Sequence, residues 1–342
     1  MSDFKIISDI TRVDKNKWSE FVARHPQGNV FQTPDYYNFC NSIKGYAAIA
    51  YFCMIGEEIV GTLVSEIQRE FSGFGGVLTG RAIVRGGPLV TGDDPVIFKA
   101  LIKAFNDGAS HHALFGQFRN LRELSFWSEG FKLAGYNFED HLDIIIKLTE
   151  PKEKLWSDIH PTRRKQINRS ERRGVVVNIY DNTDKGKIET CYRLLKKTYR
   201  KAGLPLPGQD FFLNASILFN ERKIIKLFTA EFNSEIIGFR MVLCYKNLIY
   251  DWYAASSDNH LDKYPNDILP WKIICWGKDN NYEFFDFGGA GKPGEPYGVR
   301  DYKLKFGGTL VNYGRFTVVY RKFLYNIVMA LFSIRKKIIG KR

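Results

Sequence analysis

The stretches AIAYFCMIGEEIVGTLV (residues 48–64) and IKLFTAEFNSEIIGFRM (residues 225–241) share one pattern. Each holds two short apolar runs around a polar break, Gly56-Glu57-Glu58 in the first and Asn233-Ser234-Glu235 in the second. Short apolar runs broken by Gly or Asn-Ser read as strand, tight turn and strand. Glu58-Ile59-Val60-Gly61 aligns with Glu235-Ile236-Ile237-Gly238 at a shift of 177 residues. Upstream, the aromatic pairs Tyr36-Tyr37 and Phe211-Phe212 follow Pro-containing loops at a shift of 175 residues. A helix is expected before each loop, from Trp18 to Arg24 and from Lys187 to Ala202. The same order at nearly the same offset predicts a duplicated α/β module.

A chain of 342 residues with 44% apolar side chains is long enough for two such modules, each with its own core. The junction is expected near Leu148-Thr149-Glu150-Pro151, after a strand HLDIIIKL that would close the first module. The expected domains are residues 1–150, residues 151–318, and a C-terminal segment 319–342. A helix begins near Lys152, is interrupted at Pro161 and stops at Gly174, before a strand Val175-Val176-Val177. In the first module, FSGFGGVLTGRAIVRGGPLV (residues 71–90) is rich in glycine, which serves either a ligand's close approach or bulged strands and turns.

Composition narrows the chemistry. The cysteines, Cys40, Cys53, Cys191, Cys244 and Cys275, are scattered, with neither the spacing of a metal site nor a disulfide framework. The N-terminus lacks a basic stretch followed by a long apolar one, so the expectation is a cytoplasmic protein. The histidines show no paired metal-ligand spacing, and a metal is not expected. Neither a G-x-S-x-G elbow nor a phosphate-binding P-loop is present, which removes the usual signatures of hydrolases and NTPases.

The net charge of +13 is local: residues 163–173 carry +5 and residues 319–342 carry +7. A general nucleic-acid coat would be more diffuse. In the first segment, Arg163, Arg164 and Lys165 recur with Arg169, Arg172 and Arg173 at helical spacing. They form either a phosphate contact, to a nucleotide-linked substrate or to tRNA, or a solvated basic face. In the second, Phe323 to Ile334 is free of charge between Arg321-Lys322 and Arg335-Lys336-Lys337. It is shorter than the ~20 apolar residues of a membrane-spanning helix. A basic, apolar helix of this kind lies on an anionic membrane surface or packs on the first module.

The segment richest in chemistry is YEFFDFGGAGKPGEPYGVRDYKLKFGG (residues 282–308). An aromatic strand reaches Asp286 and runs into a loop beginning Gly288-Gly289. Glycines after a strand let the backbone approach an anion or a carbonyl. Arg300, Lys303 and Lys305 add positive charge beside the loop, with Tyr302 among them. The combination suits a phosphate-bearing substrate or the oxyanion of acyl transfer, or else a surface loop with solvated lysines. Asp286 either orients the loop or accepts a proton from an attacking amine.

F-D-F-G-G followed by Y-K-L-K-F-G-G resembles the C-terminal signature of the Fem-type aminoacyltransferases (FemA, FemB and FemX), which build peptidoglycan interpeptide bridges. LWSDIHPTRRKQINRSERRGVVV resembles the segment that opens their second module, and GNVFQTPDYYNF their N-terminal Gln-containing loop. The similarity spans most of residues 18–310. It implies two tandem GNAT-like domains, each a mixed sheet flanked by helices, followed here by the basic, apolar C-terminal helix. It also implies transfer of an aminoacyl group from charged tRNA to an amine of a nucleotide- or lipid-linked envelope precursor, with no bound cofactor and no covalent intermediate. Lys303 falls on the lysine of the family's F-K-x-x-F-G element, so the resemblance places it at the reaction cleft, on a phosphate or on the tetrahedral oxyanion.

Three departures stand out. No sustained heptad pattern marks a coiled-coil arm. Phe39 and Cys40 stand where some members carry a lysine, and Lys44 is the nearest substitute for a phosphate contact. The Arg/Gln-x-x-Gly-x-Gly/Ala turn that cradles coenzyme A is not found. The alternatives are a CoA-dependent N-acyltransferase, with acetyl-CoA as donor and an amino-sugar nucleotide as acceptor, and a non-catalytic protein bound at the membrane.

Overall fold

The computed structural model describes residues 4–69, 79–180 and 184–339, with the side chains of the last helix described through Leu331. Most of the first glycine-rich stretch, residues 71–78, lies outside the described residues. The chain forms two compact units: residues 1–140 with 313–342, and residues 141–312.

In chain order the first unit contains β1 (Lys5–Ile7), α1 (Lys15–Arg24), α2 (Pro34–Asn41), β2 (Tyr46–Ile55), β3 (Glu58–Gln68), β4 (Arg81–Arg85) and β5 (Leu89–Val90). It continues through α3 (Pro95–Ala109), β6 (Phe115–Arg119), α4 (Ser128–Leu133) and β7 (Asn137–Glu139). The second unit contains β8 (Leu142–Lys147), α5 (Lys152–Asp158), α6 (Pro161–Arg172), β9 (Val176–Tyr180), α7 (Lys185–Ala202) and α8 (Gln209–Leu218). Then follow β10 (Ile225–Phe232), β11 (Glu235–Tyr245), β12 (Leu248–Ser256), α9 (Pro265–Asp279), β13 (Phe284–Gly289), α10 (Gly298–Leu304) and β14 (Thr309–Asn312). The chain returns to the first unit with β15 (Arg315–Val319) and α11 (Lys322–Ile339).

The first sheet runs β1-β2-β3-β4-β6-β15-β7, with β5 also on β3, and the second runs β9-β10-β11-β12-β13-β8-β14. The two orders correspond strand for strand, down to one parallel pair in each, β4 with β6 and β12 with β13. Both are mixed sheets flanked by helices, as the duplicated hairpins predicted. The hairpins are β2–β3 and β10–β11, and their turns have the dihedrals their residues favour. Gly56 sits at φ 59°, and Asn233 and Ser234 at 50° and 64°, the paired positive values of a type I′ turn. The aromatic pairs lie on α2 in the first unit and on α8 in the second. Helix starts follow local chemistry too: Asp14 caps α1, Asp94 caps α3 and Asp184 caps α7 through backbone N–H groups.

Two boundaries differ from the sequence expectation. β8 does not close the first module; it sits between β13 and β14 in the second sheet. β15, expected in a second module ending at residue 318, sits between β6 and β7 in the first. The exchange is reciprocal: each unit's edge strand is followed by a strand that enters the other sheet. Burial explains the choice. Leu142, Ile144 and Ile146 on β8 join the core of Phe228, Val242, Ile249 and Phe285. Phe316 on β15 stacks on Phe131 at 4.1 Å and joins Leu63, Phe98, Phe105 and Phe118. A fully buried aromatic or aliphatic side chain contributes ~1.5–3 kcal/mol, more than a short connection within one module would gain.

The C-terminal helix begins at Lys322, after β15, not at residue 319. Tyr325 packs edge-on against Phe115 of the first unit at 5.5 Å, whereas Phe323, Ile327, Met329 and Leu331 are exposed. Among the described residues no helix is long and apolar enough to cross a membrane.

Candidate active site in the second unit

β12 and β13 pair in parallel from Leu248 and Phe284 only as far as Tyr250 and Asp286. Beyond that point β12 continues to Ser256, while β13 shifts register and pairs through Gly289 with Asp143 of β8. The two strands therefore part, and a glycine-rich loop leaves from the parting. Gly288 (φ 70°) and Gly291 (φ 77°) occupy left-handed backbone that a side chain would strain. A Cβ on Gly289 would lie 2.9 Å from the His141 ring.

The loop is tied by the charges that follow it. Lys303, half-buried on α10, donates to the carbonyl oxygens of Phe287 (2.5 Å), Gly288 (3.1 Å) and Gly289 (3.0 Å). An ammonium has three N–H donors, so all are engaged by the loop. Arg300 donates to the carbonyls of Ala290 (3.4 Å) and Lys292 (2.7 Å) and to that of Glu295. Both cations are thus held by carbonyl dipoles instead of carboxylates, and their charge stays beside the loop. Asp286, 2% exposed, accepts the Gly288 N–H at 2.7 Å, which is the loop-orienting role.

Behind the loop lies a buried polar network. Arg240, alone in the apolar run of β11, pairs with Asp251 of β12, and both are almost fully buried. Its Nη2 donates to the Tyr302 hydroxyl at 3.0 Å, and that hydroxyl donates to the Asn266 carbonyl at 2.5 Å. Arg163 pairs with Asp267 at 2.6 Å and lies 5.0 Å above the Tyr302 ring. Asp251 Oδ1 has no hydrogen-bond partner.

Burial sets the titration. It raises Asp286 to about 6, partly offset by the Gly288 N–H and Lys303 and reinforced by Asp251. It raises Asp251 above the ordinary carboxylate range despite Arg240 and Lys303. It also lowers Lys303, against the pull of Asp251 and Asp286. The Asp286 shift gives a stability prediction. Native Asp286 keeps its proton to higher pH than the unfolded chain, so stability falls as pH rises from about 4 to about 6. Asp286→Asn lacks this dependence while its amide oxygen can still accept the Gly288 N–H. Its stability relative to wild type should rise by on the order of 2 kcal/mol between about pH 4 and pH 7. Urea midpoints at both pH values test this, and a constant offset would rule the shift out.

The structure brings Lys303, Asp286, Gly288, Gly289, Arg300 and Tyr302 together around one loop, with Arg163 on the ring of Tyr302. The hydroxyl of Tyr302 and one amino group of Arg163 are occupied within the fold. Arg164 is half-buried on α6, and Lys305 is exposed, its carbonyl accepting the His160 N–H at 2.9 Å. Lys44 belongs to the first unit, where it is exposed. Sequence reading missed Arg240, Asp251 and Asp267. The available signal was a charge inside an apolar strand, as in GFRMVL and LIYDWY, because a buried charge demands a partner.

Residues 161–304 match the acetyltransferase (GNAT) domain family. The crystal structure of FemX superposes with a TM-score of 0.74 at 14% identity, over 95% of this chain and 99% of that one. The C-terminal domain of a putative lysylphosphatidylglycerol synthetase from Agrobacterium fabrum gives 0.58 at 14% identity, over 94% and 95%. A tandem GNAT protein from the clavulanic acid biosynthesis pathway gives 0.56 at 9% identity, over 93% and 99%. No curated protein sequence matches significantly.

Proposed function

From an acyltransferase with a Fem-type tandem GNAT fold, we propose a transfer of an aminoacyl group to an amine of a peptidoglycan precursor, at the glycine loop of the second unit. The observation that carries this reading is that Lys303 and Asp286 both bind that loop, through its carbonyls and through the Gly288 N–H, where β12 and β13 part. The likeness to FemX along nearly the whole of both chains supports the substrate class. So does the likeness to the C-terminal domain of a putative lysylphosphatidylglycerol synthetase, named for an aminoacylated phospholipid.

In the proposed reaction the neutral amine attacks the ester carbonyl of charged tRNA. A C–N bond forms and an oxyanion develops. The C–O ester bond then breaks, and the departing hydroxyl takes the proton that the amine gives up. Positive charge held at the loop by Lys303 and Arg300 stabilises the oxyanion as it forms. Asp286 keeps the loop in position. No side chain needs to form a covalent intermediate. A CoA-dependent N-acylation of an amino-sugar nucleotide is the second reading, favoured by the GNAT-domain match over residues 161–304. For location, the exposed apolar side chains of α11 and its basic flanks suit the anionic inner face of the cytoplasmic membrane.

A paired assay tests these readings. One arm offers charged tRNA with a muropeptide acceptor, nucleotide-linked or lipid-linked in anionic vesicles; the other offers acetyl-CoA with amino-sugar nucleotides. Mass spectrometry of the acceptor is expected to show an aminoacyl mass in the first arm. Acetylation in the second arm alone would overturn the aminoacyl reading. Equal rates on vesicles with and without residues 322–342 would overturn the membrane contact.

A further inference from the structure

The outer strand of the second sheet, β9, lacks the features that keep sheet edges apart. It pairs with β10 from Val176 to Tyr180 in unbroken register. Among the described residues, no strand pairs with its other edge. Open edges are usually blunted by shortness, a charge, a proline or a bulge. The counterpart edge of the first sheet, β1, is three residues long and begins with the exposed Lys5. β9 reads VVNIY, with neither charge nor proline, and it leaves Val176 57% and Ile179 40% exposed.

Alternation along the strand puts these two apolar side chains on opposite faces of the sheet. Val176 shares its face with Asn178 and Tyr180, and the Tyr180 ring lies 4.6 Å from the Lys187 ammonium. Ile179 shares the other face with Val177, which packs against the core of the unit. A partner must therefore cover both faces at once, and the sequence of β9 fits its own copy. In an antiparallel pair centred on Asn178, Val176 stands opposite Tyr180 of the second copy, and Val177 opposite Ile179. Asn178 meets itself, and a carboxamide carries both the donor and the acceptor that its copy requires. The flanks agree. The chain enters β9 from Arg172-Arg173 and leaves it through Asp181 and Asp184. Arg172 and Asp184 each lie six residues from Asn178, so the basic end of one copy meets the acidic end of the other. A parallel pair would set arginine against arginine.

We propose that β9 joins two copies of this chain by antiparallel pairing about a two-fold axis at Asn178. The seven-stranded sheet of one copy then continues into that of the other. The contact is independent of the reaction proposed above.

Sedimentation velocity of the full chain tests it. A short strand pair makes a small interface, so the dimer is expected to appear between about 1 and about 200 µM. Ile179→Lys supplies the charge that edge strands carry and is expected to weaken association at least about tenfold. Asn178→Cys is expected to cross-link to its own copy under mild oxidation. Opposed Cα atoms in an antiparallel pair lie about 4.5–5.5 Å apart, within disulfide reach. Val176→Cys faces Tyr180 of the second copy, not itself, and is expected to run as a monomer on the same non-reducing gel. Wild type, whose cysteines are buried or half-buried, is expected to do the same. A cross-link confined to one position is a gain that misfolding cannot imitate. A chain that stays monomeric across the range, or associates equally well with Ile179→Lys, would overturn the proposal. So would a dimer that cross-links no better through residue 178 than through residue 176.

Discussion

Lys303→Ala is expected to lower kcat/KM for acyl transfer by about a hundredfold or more in the paired assay. The ammonium satisfies three carbonyls in succession, Phe287, Gly288 and Gly289, and places a positive charge beside the parting strands. Alanine removes both contributions. The orphaned carbonyls cost stability as well, roughly 1–3 kcal/mol for each that stays buried and finds no water. Lys303→Arg separates the two effects. It keeps the charge, but a planar fork cannot donate to three carbonyls arranged around one nitrogen, so it should recover part of the rate. If Lys303→Ala folds and turns over at the wild-type rate, the reaction does not occur at this loop.

The largest stability effect is expected from Arg240→Met. It leaves the Asp251 carboxylate buried without its partner and removes a donor from the Tyr302 hydroxyl. Breaking a buried pair on one side costs about 3–5 kcal/mol. The double variant Arg240→Met with Asp251→Leu should regain most of that, because no lone charge remains. The sign with pH is also set. Burial already raises Asp251, and loss of Arg240 raises it further, so protonation relieves the variant in acid. Urea midpoints should therefore show a smaller penalty near about pH 5 than near about pH 8. A penalty that does not change with pH would mean that Asp251 is not the group left uncompensated.

Much of the fold was legible because its signals are local. Gly56 and Asn233-Ser234 mark turns through backbone preference, and the paired apolar runs mark the strands they join. The glycine loop after β13 was legible in the same way, as were Lys303 and Asp286 beside it. The roles of the surrounding charges were not. Arg163 and Tyr302 read as substrate contacts, yet Arg163 pairs with Asp267, 104 residues away, and Tyr302 with Asn266 and Arg240. A cation looks the same in sequence whether it faces solvent or a buried carboxylate.

By itself the sequence determined the duplicated module, its hairpins and helices, and the glycine loop with its charges. All of these depend on neighbours within a few residues. Tertiary structure alone decided which sheet β8 and β15 would join and which carboxylate each buried arginine would meet. Those outcomes turn on strand register and burial between residues as far apart as Arg119 and Arg315. A strand's own pattern says which face it must bury, but its hydrogen-bonding edges accept any strand, so the partner is chosen only when the cores form.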